Sequence, residues 1–221
     1  MPKLLVNTSE ILKTFAHLEK TADNTAFYEA LTGVQHIHEI AAEAQCLLAP
    51  GYRLIRVDHR KRPTSDEFEI ALVNDLERSV VYYNRVVISP IVDLKCRPAT
   101  QNLVWRSQDA QHLSVLSPVA QKVFFNYILE KYDVIVSDGQ QTHQGKFFWQ
   151  RQMSQAIAFG LHVYYYQMMT AKLEPILSQA DLNALKDQLW SEDDGQEYHL
   201  ALISKVELPA ELLITTESSN S

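Results

Sequence analysis

The fold of this chain is decided by four consecutive segments: SPVAQKVFFNYILEKY (117–132), DVIVSDGQQT (133–142), HQGKFFWQRQMSQAIAFG (143–160) and LHVYYYQMM (161–169). Ser117 suits the residue that caps a helix N-terminus, and Pro118 suits the first helical position. The apolar residues 134–136 make a short run that is typical of a buried parallel strand. The segments therefore predict helix, strand, helix and strand in that order, which is an α/β arrangement.

The remainder of the chain adds helices before these segments and strands on both sides of them. Apolar residues at helical spacing predict helices over 8–20 and 23–48, with Gly33 as a break in the second. Runs rich in β-branched and aromatic residues predict strands over 52–58, 67–74, 80–88, 103–107 and 197–206. A further helix is predicted over 173–190, with Asp181 as a candidate cap of its second part.

These elements predict an α/β fold with a mixed central sheet flanked by helices. Residues 1–50 form an added helical segment packed on the core, and residues 51–208 form the α/β domain. Residues 209–221 are polar and end in TTESSNS, so we expect a disordered tail.

Composition excludes several classes of protein. The 221 residues carry a net charge of −7, and an acidic chain is poorly suited to neutralising phosphates, so nucleic acid is not expected as a partner. The basic run from Arg53 to Arg62 is either a solvated loop after a strand or a local nucleic-acid patch. Two cysteines, without a Cys/His cluster, predict neither a disulfide scaffold nor a metal site. Without a signal peptide or a membrane-spanning run, a cytoplasmic protein with no membrane contact is expected.

The order of elements resembles the GNAT-type N-acetyltransferase fold. In this resemblance LVWRS (103–107) is the central strand, SPVAQKVFFNYILEKY the pyrophosphate helix, VIVSD (134–138) the partner strand and QGKFFWQRQ (144–152) the second helix. A variant of this half, found in phage- and prophage-encoded proteins, is similar to the residues Ser137, Asp138, Gln141, Thr142, Gly145 and Trp149. The resemblance covers about residues 52–170.

The resemblance implies acetyl-CoA as a cofactor, held where the pyrophosphate helix begins. The matching positions are Leu113, Ser114, Ser117 and Val119. The family's loop uses spaced glycines, which let backbone N–H groups approach the pyrophosphate. Residues 108–117 contain no glycine, the charge of Asp109 would repel a pyrophosphate, and Pro118 lacks a backbone donor. The resemblance therefore implies the elements of the fold without the loop that binds the cofactor.

A transferase of this type needs a base for the acceptor amine and a proton donor for the departing thiolate. Glu69 is a candidate base, or else a strand residue that faces solvent. Tyr165, within the run 164–166, is a candidate donor, or else a packing residue. His143 is a candidate near the end of the strand at Asp138, where Asp138 alternatively caps the next helix.

Three functional hypotheses follow. The favoured one is a catalytically degenerate GNAT-like protein, of phage derivation, that binds a protein partner or has a structural role without a cofactor. The alternative is an acetyl-CoA-dependent N-acetyltransferase. A nucleic-acid module built on Arg53–Arg62 ranks last. A phage protein would act in the host cytoplasm or in the virion, and the oligomeric state is left open.

Overall fold

A computed structural model describes residues 8–60, 66–89, 94, 96–137, 143–185, 189 and 199–208 of the chain. It is an α/β structure, as the sequence predicts. The chain separates into two compact units. The first, here the N-terminal unit, is Leu5–Ser89 with Thr100–Glu130. The second, here the C-terminal unit, is Met1–Leu4, Pro90–Ala99 and Lys131–Ser221. The domain boundaries predicted at residues 50 and 208 remain predictions.

The N-terminal unit begins with two helices, followed by an antiparallel sheet. The helices are α1 (Thr8–Glu19) and α2 (Thr21–Thr32). The strands are β1 (Ile37–Glu39), β2 (Tyr52–Asp58), β3 (Glu67–Asn74), β4 (Ser79–Ile88) and β5 (Ala99–Arg106). Each strand pairs antiparallel with the next one along the chain. The four-residue turn 75–78 between β3 and β4 favours antiparallel pairing of these two strands.

One face of this sheet packs against the two helices. Phe27 of α2 meets the Tyr83 ring edge-on, with centroids 5.1 Å apart. Alternate residues of a strand point to the same face, which is why Ile55 and Val57 on β2, and Ala71 and Val73 on β3, recur at a spacing of two. The buried cluster consists of Leu18, Leu31, Ile55, Val57, Ala71, Val73, Val80, Tyr83 and Trp105.

A long helical segment follows β5, and all of it up to Glu130 belongs to the same unit. It opens with a 3₁₀ turn (Ala110–His112), continues as α3 (Leu113–Lys122), widens to a π-helix (Val123–Ile128) and closes with α4 (Leu129–Lys131). Five of the six π-helical residues are buried. The widened turn spreads buried side chains over more of the helix surface than an α-helical stripe would allow.

The C-terminal unit contains the second half of the predicted order. Its elements are β6 (Asp133–Ser137), α5 (His143–Ala158), β7 (His162–Gln167), β8 (Lys172–Pro175), α6 (Gln179–Ala184) and β9 (His199–Ser204). The last strand lies between β6 and β7 and pairs antiparallel with both. Strand β8 pairs with the outer side of β7. Its core is Leu94, Ala99, Ile135, Tyr164, Tyr166, Leu173, Leu200, Leu202 and Leu208.

The helix predicted over 23–48 is wrong beyond Thr32. The chain forms strand β1 and then a series of turns, in which Gln45 has a positive φ of 56°. Ile40 and Ala44 are buried at a spacing of four, as they would be in a helix. A spacing of four between buried residues is therefore compatible with a helix and with this series of turns, and tertiary packing selects the turns.

Two other helix predictions are corrected. Ser117 and Pro118 lie inside the long helical segment, since it begins at Ala110. The predicted helix 173–190 is replaced at its start by β8, and the described helix runs from Gln179 to Ala184. Its N-cap is Ser178, with Asp181 completing a capping box from the third position. The predicted tail, 209–221, lies outside the described residues.

Candidate functional site

The start of the long helix, where the resemblance implies a cofactor, is capped by the chain itself. One carboxylate oxygen of Asp109 accepts a hydrogen bond from the backbone N–H of Gln111 (3.0 Å). Its other oxygen accepts from the Gln111 side-chain amide (3.1 Å). The backbone N–H of Asp109 donates to Ser107 Oγ. A negative charge already occupies the position at which a helix N-terminus attracts an anion.

The four predicted cofactor-binding residues share one helix but not one environment. Leu113 is 54% exposed, whereas Val119 is buried in the N-terminal unit. Ser114 and Ser117 are exposed. Pro118 lies in the second turn of α3, so the donor it lacks is inside the helix and not at its N-terminal end. The described geometry thus does not gather these four side chains around one point.

Beside the capped helix start lies a cluster of three side chains that the sequence analysis did not single out. The ring of His112 is only 4% exposed, and its Nδ1 makes a 2.8 Å hydrogen bond with the Tyr52 hydroxyl. Its Nε2 lies 3.5 Å from Oε2 of Glu77, in the turn between β3 and β4. Burial and the nearby Glu77 carboxylate raise the pKa of Tyr52. The imidazole of His112 therefore lies between the Tyr52 hydroxyl, on one ring nitrogen, and the Glu77 carboxylate, near the other.

Glu69, the candidate base, is held by other side chains. Arg60 donates two hydrogen bonds to its carboxylate, at 2.7 and 2.6 Å, and the Tyr83 hydroxyl donates a third at 2.6 Å. The residue is 3% exposed, so it does not face solvent as the alternative interpretation expected. Burial and the Glu69 carboxylate raise the pKa of Tyr83 well above its usual value. The arrangement is that of a buried, satisfied ion pair.

Tyr165, the candidate proton donor, is 1% exposed in the C-terminal unit. Its hydroxyl forms a hydrogen bond with Nδ1 of His199 on the neighbouring strand β9. The two rings are stacked at 10° with centroids 5.7 Å apart. Tyr165 is thus both a packing residue and one half of a tyrosine–histidine pair. The third candidate, His143, is the first residue of α5, and its side chain lies outside the described residues.

The three described arginines of the predicted basic run are each paired with a carboxylate. Arg53 donates one hydrogen bond to each carboxylate oxygen of Asp75, whereas Arg56 donates two hydrogen bonds to one oxygen of Asp58, Oδ1. Arg60 binds Glu69, as described above. Pairing with carboxylates reduces the positive charge that these arginines offer to phosphates. Arg53 and Arg56 lie on strand β2, so the solvated-loop interpretation does not describe them, and the nucleic-acid patch stays a prediction. Lys61 and Arg62 lie outside the described residues.

The phage-like motif is only partly described. Gly145 lies in the first turn of α5, and Trp149 is buried on the same helix against Phe148. Ser137 ends strand β6. Asp138, Gln141 and Thr142 lie outside the described residues.

Sequence signals for the Tyr52, His112 and Glu77 cluster were weak. The three residues come from a strand, a turn and a 3₁₀ turn, and Tyr52 is 60 positions from His112. Nothing in local spacing joins such residues. The one usable signal was a histidine inside an otherwise polar segment that precedes an apolar helix face.

The chain matches no family model, no curated protein and no solved structure. Among the described helices, none has the length and apolar character needed to cross a membrane. In the part of the chain that the structure describes, no three His, Cys, Asp or Glu side chains come together as a metal site.

Proposed function

We propose that this chain is a GNAT-like protein without a coenzyme A site, which acts as a binding or structural protein for a protein partner. Support for the fold comes from the order β5, long helix, β6, α5, β7, which follows the family's order of central strand, helix, strand, helix and strand. A phage origin belongs to the proposal and depends on the motif at Ser137, Gly145 and Trp149.

The observation that carries the proposal is the cap formed by Asp109. A pyrophosphate at the helix start needs free backbone N–H donors and a positive local potential. Here the N–H of Gln111 donates to a carboxylate, and that carboxylate carries a negative charge. The Asp109 side chain therefore occupies a backbone donor that a pyrophosphate would need, and it also makes the local potential negative.

A protein partner is supported by apolar side chains on the surface of the N-terminal unit. Leu47 is 96% exposed and Leu76 is 80% exposed. Leu113, next to His112, is 54% exposed. Single exposed leucines are common on protein surfaces, and these three side chains are candidate contacts for a partner.

The test is calorimetric titration of the full chain with acetyl-CoA and with free coenzyme A. We expect no binding at millimolar ligand for the natural sequence. Asp109→Ala removes the competing carboxylate and should allow weak binding, while Asp181→Ala removes a carboxylate that caps α6 and should not. Saturable binding by the natural sequence at micromolar ligand would overturn the proposal.

Such binding would favour the alternative, an acetyl-CoA-dependent N-acetyltransferase. The alternative is supported by the His112 imidazole, which lies at the helix start with a hydroxyl on one nitrogen and a carboxylate near the other. Its measurement is transfer of an acetyl group to a panel of amines.

A pull-down with the natural chain and with Leu76→Ser tests the partner proposal, because loss of partner capture in this variant is expected.

A further inference from the structure

The cluster of Tyr52, His112 and Glu77 has the connectivity of an activated nucleophile. A nucleophile, a base within hydrogen-bond reach and a third group that orients the base form the general pattern. The hydroxyl-to-imidazole distance is 2.8 Å, and the imidazole-to-carboxylate distance is 3.5 Å. The three residues come from three separate elements of the N-terminal unit.

The proposed role of His112 requires one tautomer. To act as a base toward Tyr52, the imidazole is neutral and carries its proton on Nε2, the nitrogen that lies 3.5 Å from the Glu77 carboxylate. Nδ1 is then unprotonated and accepts from the Tyr52 hydroxyl. The Gln111 amide nitrogen also lies 3.4 Å from Nε2, and Asp109 contributes a further negative charge near Tyr52. His112 is thus positioned to take the phenolic proton.

We propose that Tyr52 is a nucleophilic tyrosine that becomes acylated by activated esters, with His112 as its base and Glu77 as a positioning residue. In the step, Oη of Tyr52 attacks the ester carbonyl carbon and forms an aryl ester. The Oη proton passes to Nδ1 of His112. The bond from the carbonyl carbon to the leaving oxygen breaks, and the leaving group receives that proton or departs as the anion.

The neighbours of Tyr52 explain why a base is required. Burial, Glu77 and Asp109 favour the protonated phenol, so the hydroxyl reacts only as its proton leaves. The imidazolium formed in that step lies beside the Glu77 carboxylate, which stabilises it. Tyr52 is half-buried and Glu77 is at the surface, so an ester can approach from that side.

Tyr28 is the internal comparison. It is also half-buried, and its hydroxyl donates to a carboxylate of Asp75 at 2.9 Å. That carboxylate already accepts two hydrogen bonds from Arg53, which lowers its basicity. Tyr28 therefore has a hydrogen-bonded hydroxyl without an imidazole base, and we expect it to react slowly.

The experiment treats the full chain with p-nitrophenyl acetate, follows p-nitrophenolate release and locates the acetyl group by peptide mass spectrometry. We expect Tyr52 to be acetylated well before Tyr28. His112→Asn keeps a hydrogen-bonding atom near the position of Nδ1 but cannot act as a base, and should slow Tyr52 acetylation by about 100-fold. Tyr52→Phe should abolish the fast phase.

Glu77→Gln keeps the shape of a half-exposed side chain and removes its charge. It should slow Tyr52 acetylation while leaving the melting temperature and Tyr28 acetylation unchanged. If His112→Asn fails to fold, the rate of Tyr52 acetylation in Glu77→Gln tests the proposal. Equal acetylation of Tyr52 and Tyr28, or a Tyr52 rate that neither folded variant changes, would overturn the proposal. Neither result depends on coenzyme A binding.

Discussion

Asn24 forms hydrogen bonds to both backbone groups of Val80, although the two residues are 56 positions apart in the chain. Its Oδ1 accepts from the Val80 N–H at 2.7 Å, and its Nδ2 donates to the Val80 carbonyl at 3.0 Å. The same Nδ2 donates to the carbonyl of Leu18 at 2.8 Å. One side chain of α2 thereby joins the end of α1 to the beginning of β4.

Replacing Asn24 should therefore destabilise the N-terminal unit. Asn24→Ala removes three hydrogen bonds and leaves buried backbone groups unpaired, which should cost about 3 kcal/mol at about 1 kcal/mol for each bond. Urea unfolding followed by circular dichroism measures this change. Asn24→Asp keeps the acceptor but loses the donor, so its loss should be comparable. A change no larger than that of the exposed control Thr21→Ala would contradict the prediction.

The buried pair of Arg60 and Glu69 gives a second stability prediction. Glu69→Gln leaves the Arg60 charge without its carboxylate, and breaking a buried pair costs about 3–5 kcal/mol. Tyr83→Phe removes one hydrogen bond to the same carboxylate and should cost about 1 kcal/mol. Thermal unfolding of the two variants ranks them. If Glu69 were instead a base with no structural role, Glu69→Gln would leave the melting temperature unchanged.

The link between Arg53 and Asp75 predicts a dependence on acid pH. Hydrogen bonds from Arg53 hold the pKa of Asp75 below its ordinary value of 3.8 in the folded chain. A depressed carboxyl pKa adds stability above the unfolded pKa, and that stability is lost as the pH falls through the folded value. Between neutral pH and pH 3.8, Asp75→Asn should lower the melting temperature by a constant amount. Below this range the difference should shrink.

That difference is measured by thermal scans of both proteins in buffers of decreasing pH. Asp66→Asn, at an exposed position before β3, is the control and should show no such change. A difference between the natural chain and Asp75→Asn that grows on acidification would have the wrong sign.

Ala171 has a positive φ of 52° in the turn between β7 and β8. A residue with a Cβ atom is strained in this region, whereas glycine is not. Relief of about 1–2 kcal/mol of left-handed strain outweighs the entropy that glycine loses on folding, about 0.5–1 kcal/mol, so Ala171→Gly should stabilise the chain by about 0.5–1 kcal/mol. Ala26→Gly, an exposed substitution inside α2, should instead destabilise it by about 1 kcal/mol. Differential scanning calorimetry distinguishes the two signs, and a destabilising Ala171→Gly would show that this turn is not strained.

The two cysteines give a prediction for chemical labelling. Burial raises the pKa of the Cys46 thiol, and burial with the nearby Asp133 carboxylate raises that of Cys96 to about 11. Because the thiolate is the reactive form, both should react slowly with a disulfide reagent at pH 8 and rapidly in denaturant. Equal rates in the two conditions would contradict the burial of these thiols.

Local sequence patterns determined the class of the fold and many of its elements. The strands 52–58 and 67–74 have the predicted bounds, and the helix predicted within the segment 143–160 runs from His143 to Ala158. In each of them, residue propensity, apolar spacing and flanking turn residues favour the same structure. The sequence also revealed the lack of glycine and the presence of Asp109 before the long helix.

Tertiary structure alone decided the elements for which local signals conflict. Residues 33–48 have apolar spacing compatible with a helix, yet they form β1 and turns, because β1 pairs with β2. Ser117 has the residue type of a helix cap, but the helix begins earlier, where Asp109 satisfies its free N–H group. Propensity is a weak preference that strand pairing and capping readily outweigh.

The tertiary structure likewise determined which side chains meet in the candidate site. Tyr52 and His112 are 60 residues apart, and no periodicity joins a strand to a distant 3₁₀ turn. Glu69 has the residue type of a base, but its partners Arg60 and Tyr83 convert it to a structural carboxylate. Composition and spacing act over a few residues and determine which elements form. The register of the strands determines which distant side chains meet, and therefore what each charged group does.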